Sequence, residues 1–333
     1  MKIIYLILIT IFTIGNTSCP AQTKKKMKNK NPLLCTPENG ACEKPTNQTN
    51  SADNNAIKST QKPIKIIYYT DPICSSCWAI EPQLRKLKLE YGNSIDIEYR
   101  MGGLLPNWSY NSGGISKPSD VAHHWDEVSV YYDMPIDGDV WLEDPLPSSY
   151  PPSIAFKAAQ MQDKEKAILF LRAIREMVFL QKKNIAKWEN LELAAKRVGL
   201  DMVTFKSDYE GKAKALFEED LKLGRQLGVR GFPTMFFTDT TGKTEMVYGS
   251  KPYNIYENAL LKLFPTVSKT TYDKSWSAVF SKYHSLTAKE FSELTETPRN
   301  QCEKYLNDLT TNGKLEKLIT KNGAIWTMKN SNH

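Results

Sequence analysis

Two cysteines separated by two residues, Cys74 and Cys77, sit where a β-rich run gives way to a helix, and that junction constrains the chain more than any other feature. Ile64, Ile66, Ile67 and Tyr68 read as a buried strand ending at Thr70-Asp71-Pro72. Glu81 to Tyr91 reads as a helix with Leu84, Leu87 and Tyr91 on one face and Gly92 as its stop. Ile95, Ile97, Tyr99 and Met101 then alternate as a second strand. At such a junction the two-residue spacing puts both sulfurs within the first helical turn. The first cysteine lies where unpaired backbone N–H groups and the macrodipole favour a thiolate. Cys74 is the expected nucleophile. Cys77, one turn deeper, is the thiol expected to resolve a mixed disulfide on it.

The same spacing serves as half of a zinc site, but the other half is missing. Cys35 and Cys42 have the wrong separation, and His123, His124, His284 and His333 show no paired-ligand spacing. No metal and no other cofactor is expected; an inert structural disulfide at Cys74 and Cys77 is the plain alternative.

Met1-Lys2 and the apolar run from Ile3 to Ile14 have the form of a secretory signal over residues 1–18, too short to span a bilayer. Gly15, Asn16, Thr17 and Ser18 lead into Cys19 and resemble the lipobox of bacterial lipoproteins, with Asn16 where Leu is usual. Lipidation of Cys19 and cleavage after Ala21 are the two readings. Both export the chain to the cell envelope, anchored to the membrane or soluble in the periplasm, where paired cysteines oxidise. Residues 19–62 carry eight lysines against three acidic residues, a net of +5, and few apolar groups. They read as a basic flexible tether that cannot fold alone and can rest on anionic headgroups. Within it, turn-forming residues separate Cys35 from Cys42. A local disulfide is one reading of that pair, and a second redox pair swinging to meet Cys74 and Cys77 is the other.

Helical periodicity dominates from about 148 to 228, including Ile168–Leu180, Leu191–Val198 and Ala213–Leu227, and Thr234–Thr238, Thr244–Tyr248 and Tyr253–Phe264 read as strand, strand and helix. The expected class is α/β: a thioredoxin fold over residues 63–265 with an all-helical insertion at about 115–228. Residues 266–333 read as a small winged-helix-like unit, in which Thr287 and Glu290 form a capping box and Asn322-Gly323 joins two short strands. Ten basic against seven acidic residues there are too few for a nucleic-acid surface. Cys302 within it reads as a small buried apolar group.

Gly231-Phe232-Pro233-Thr234 stands before the third strand. A proline there cannot donate to a ladder, so Pro233 marks the strand's first residue, with a cis bond expected. Taken with Asp71-Pro72, Cys74-Ser75-Ser76-Cys77-Trp78, Pro82 and Met101-Gly102-Gly103-Leu104, this block makes residues 63–265 resemble the DsbA-like branch of thioredoxin-fold disulfide oxidoreductases. The resemblance implies Cys74 as attacking thiol, Cys77 as resolving thiol and Pro233 as the cis-proline, with Trp78, Phe232 and Thr234 lining a substrate groove. The implied activity is oxidation, reduction or isomerisation of disulfides in exported proteins, served by a redox partner. Strongly oxidising members carry Pro-His between the cysteines. Ser75-Ser76 should therefore give a potential below the value of about −120 mV for DsbA. The alternative is an adaptor that keeps the fold without redox turnover, since some DsbA-like relatives present partners to a protease in the cytoplasm; the signal at residues 1–18 argues against that location. A glutathione-using isomerase is disfavoured by the full cysteine pair.

Three further features stay open in the sequence. Glu81 is either a proton acceptor for Cys77 or an ordinary acidic residue of an early helical turn. His123 and His124 point in different directions on a helix and read as packing. The segment from Trp141 to Pro152 either walls a peptide groove or covers the core of the inserted helices.

Overall fold

The computed structural model describes residues 35–36, 41–43, 62–109 and 116–329. In chain order the elements are β1 (Cys35–Thr36), β2 (Ala41–Glu43), β3 (Ile64–Thr70), α1 (Ser75–Ala79), α2 (Glu81–Tyr91), β4 (Ile95–Met101), α3 (Pro118–Tyr132), α4 (Val140–Glu143), α5 (Tyr150–Gln162), α6 (Lys164–Leu180), α7 (Trp188–Arg197), α8 (Met202–Glu210) and α9 (Ala213–Gln226). They continue with β5 (Gly231–Phe232), β6 (Thr234–Asp239), β7 (Thr244–Tyr248), α10 (Tyr253–Leu263), α11 (Trp276–Lys282), β8 (Ser285–Thr287), α12 (Ala288–Thr295), α13 (Arg299–Thr311), β9 (Leu315–Thr320) and β10 (Gly323–Met328).

The central sheet has the order β4-β3-β6-β7. β3 runs parallel to β4, with Thr70 opposite Met101, and antiparallel to β6, with Tyr69 opposite Thr234. β3 is buried along nearly its whole length because it is internal and covered on both faces, which explains its near-continuous apolar run. The carboxyl end of β3, the exit of β4 and the start of β6 therefore meet at one end of the sheet. This is the thioredoxin arrangement, with helices α3 to α9 inserted between the two halves.

The segment from Trp141 to Pro152 covers the inserted helices. Trp141 is buried edge-on against Trp125 and Trp108, and Trp125 leads through Phe179 to Trp78. Aromatic pairs at these separations add to burial and lock the insertion onto α1.

Residues 276–328 build a second core around Phe280, Leu286, Phe291, Leu306 and Trp326, with a three-stranded sheet ordered β8-β10-β9. Helix, strand, two helices and a β-hairpin is a winged-helix order. The unit docks through α12 on α2, and Arg299 pairs with Asp133 at the end of α3.

Candidate functional site

The turn after β3 is held by one carboxylate. Asp71 Oδ1 accepts from the Ile73 N–H at 3.1 Å, while Oδ2 accepts from the Leu104 N–H at 2.8 Å and the Ser149 hydroxyl at 3.0 Å. Three donors fix the turn against the loop after β4 and the start of α5. Burial nevertheless pushes the Asp71 carboxyl up to about 6, because the bonds only partly offset lost hydration.

Cys74 follows as the N-cap of α1, its Sγ accepting from the Cys77 N–H at 3.2 Å. Neither Cys74 nor Cys77 has exposed surface. Burial drives the Cys74 thiol well above the usual range, and a hydrogen bond and charge shared with Cys77 push the same way. Burial acts upward on Cys77 too, but the bond from Cys74, the Arg175 guanidinium and the Thr70 hydroxyl together hold it below the ordinary value. The pull of the helix terminus on Cys74 is thus outweighed by the loss of water around its sulfur.

Arg175 of α6 lies beneath this pair, fully buried, and donates to Glu81 Oε1 at 2.7 Å, to the Thr70 hydroxyl and to the Asp71 carbonyl. Glu81 also faces Arg85 and Arg172, so its carboxylate is engaged in an ion network rather than aimed at Cys77. Sequence reasoning missed Arg175; a cation inside the apolar run of α6 was the available signal.

The Phe232–Pro233 bond is cis, and Cys74 Sγ lies 3.6 Å from the Phe232 carbonyl oxygen. The groove expected at Trp78, Phe232 and Thr234 is lined differently, because all three side chains are buried. Trp78 stacks on Phe179, donates its indole N–H to the Pro135 carbonyl at 3.0 Å and receives Arg172 over its ring at 4.4 Å. The Phe232 ring fills the space over Gly102, where a Cβ would come within 1.9 Å of it. The Thr234 hydroxyl turns back to the Gly231 carbonyl at 2.7 Å. What faces outward at this edge is backbone.

That backbone is occupied. β2 adds antiparallel to β5, with Cys42 opposite Phe232 and Glu43 opposite Gly231, and β1 returns along β2 with Cys35 opposite Cys42. β2 also lies against α1. The sequence expectation of an unstructured tether is corrected at these five residues: a segment too polar to form a core can still gain structure by borrowing a sheet edge. The Cys35 and Cys42 side chains, the link between them and the lipidation expected at Cys19 lie outside the described residues.

Elsewhere, His124 is buried with both ring nitrogens unpartnered and is held down at about 4 by burial and by His123, which is exposed and pairs with Glu127. The buried Cys302 faces the Thr297 and Pro298 carbonyls, and burial raises its thiol. No group of three or more His, Cys, Asp or Glu side chains among the described residues is arranged to hold a metal.

A thioredoxin sheet with a two-cysteine helix terminus facing a cis-proline defines the class, and a thioredoxin family model matches residues 68–258. The chain belongs to the thioredoxin family, in the branch that contains the ClpXP adapter protein SpxH of Halalkalibacterium halodurans, 36% identical over 89% of this chain and 97% of that protein. The ClpXP adapter protein SpxH of Bacillus subtilis is 29% identical over 80% of this chain and 89% of its own length. Among solved structures, a Nitrosomonas europaea protein described as a candidate protein disulfide isomerase superposes with a TM-score of 0.52 at 22% identity, covering 62% of this chain and 97% of that one, which bears on the fold alone. These relatives overturn the expectation of a disulfide-exchanging enzyme: proteins similar over most of this chain's length are adapters.

Proposed function

We propose that this chain is a protein-binding adapter that uses the thioredoxin fold as a docking platform and hands a bound protein to a protease, without redox turnover. The observation that carries the reading is the pairing of β2 with β5. The backbone edge beside Pro233 accepts an added strand while the sulfur next to it is buried. Strand addition supplies affinity through main-chain hydrogen bonds and needs no chemistry at Cys74. The adapters similar to this chain along 89–97% of their own length support the same role.

The protease is the ClpXP named for those relatives if the chain stays in its compartment. As part of the same proposal we assign the chain to the envelope side of the membrane, held by lipid on Cys19, where a different protease would receive the partner. Labelling with a fatty-acid analogue that is lost in Cys19→Ala supports the envelope assignment; unlabelled protein confined to the cytosol sinks it.

The role itself is tested by capturing cellular proteins on the chain and on Cys74→Ser with Cys77→Ser, and following their degradation. Equal capture and turnover by both forms is expected. Capture that disappears with the cysteines, leaving only reducible adducts in the parent, ends the adapter reading.

A further inference from the structure

The β5 edge is the surface the adapter reading assigns to a partner, yet it is filled by the chain itself. We propose that the paired strands β1 and β2 are an internal ligand of this edge: β2 occupies the partner's place beside Cys74, and a partner segment enters by displacing it. The proposal rests on the binding role of the edge.

Three features carry it. The register is that of a bound strand, antiparallel to β5 with Cys42 opposite the residue before Pro233. The same strand lies against α1, on the helix whose N-cap sulfur has no exposed surface. The hairpin is also short, two residues pairing with three. A two-stranded hairpin of this size is marginal alone in water, so its order comes from β5 and its hold is weak. Covalent attachment compensates, because a ligand carried on the same chain as its site acts at about millimolar effective concentration. A weak strand at high local concentration excludes casual ligands and yields to a partner of better complementarity. Cys35 and Cys42 stand opposite each other across β1 and β2, the positions from which one hairpin can be closed covalently.

The test reads Cys74 directly. In reduced full chain, the alkylation rate of Cys74 is measured by peptide mapping, with Cys302 in the second core as internal reference. Ala41→Pro combined with Glu43→Pro removes two backbone donors from β2. Cys74 alkylation should rise about tenfold, as expected when the open fraction goes from about a tenth to nearly all, while Cys302 stays unchanged. A synthetic peptide of residues 33–45, with serine for both cysteines, should then slow Cys74 alkylation in the proline variant saturably. An unchanged rate in that variant overturns the proposal, as does a raised rate that the peptide does not suppress. Neither readout involves a protein partner. Failure here therefore leaves the adapter reading standing, and loss of partner capture in the cysteine variant leaves this result intact.

Discussion

Arg172 on α6 grips Glu290 on α12 with two parallel hydrogen bonds, Nη1 to Oε1 at 2.7 Å and Nη2 to Oε2 at 3.0 Å. Arg85 reaches the same carboxylate at 3.1 Å, and Arg172 Nε bonds Glu176 at 2.8 Å. Glu290 is wholly buried and also closes the capping box with Thr287. One carboxylate therefore joins the thioredoxin sheet's helices to the winged-helix unit. Glu290→Ala leaves two guanidinium groups facing an empty site, and breaking a buried ionic group this way costs about 3–5 kcal/mol. Denaturant unfolding should show that loss together with separation of the transitions of the two cores. A change below about 1 kcal/mol, the scale of an exposed pair, would show that the clasp is not what holds the units.

Arg175 lies under the cysteine pair and is one of the groups that keep Cys77 below the usual thiol range. Arg175→Met should raise the Cys77 titration, read from thiolate ultraviolet absorbance against pH in a Cys74→Ala background. It should also destabilise the fold, because Glu81 loses its 2.7 Å partner. An unmoved titration would give the lowering to the remaining groups alone.

Gly102→Ala forces a methyl group into the Phe232 ring, which a Cβ at this position would approach to 1.9 Å. The ring has to leave its place against β4, at the cost typical of overpacking, about 1–3 kcal/mol. The shift moves β5, so Cys74 alkylation should quicken in the same variant. Wild-type stability and reactivity would mean that Phe232 has a second rotamer available.

His124 provides a pH dependence whose sign is fixed. Its ring titrates near 4 when folded and near 6.5 when unfolded, so the unfolded chain binds the extra proton between those values and stability is lost as pH falls through that window. The shift corresponds to about 3 kcal/mol in full. Asp71 acts oppositely: its carboxyl, raised from 3.8 to about 6, makes stability fall as pH rises through that range. The two partly cancel in the wild type. The stability of His124→Phe minus that of wild type should therefore grow by about 3 kcal/mol from pH 7 to pH 4. A flat difference would mean the buried imidazole is already protonated or hydrated.

Much of this was legible along the chain because it depends on neighbours in sequence. The alternation of Ile95, Ile97, Tyr99 and Met101, the capping box of Thr287 with Glu290, and a cysteine pair entering a helix are short-range patterns with physical causes of period and spacing. They determined the α/β thioredoxin class, the helical insertion and the winged-helix tail. What tertiary structure alone decided are relations between distant residues. Arg172 meets Glu290 across 118 positions, and no local pattern marks the pairing. β2 sits on β5 because that edge is open to a strand, not because residues 41–43 prefer one. The sequence determined that two thiols lie at a helix terminus; that both are buried follows from what packs over them, which only the tertiary structure decides.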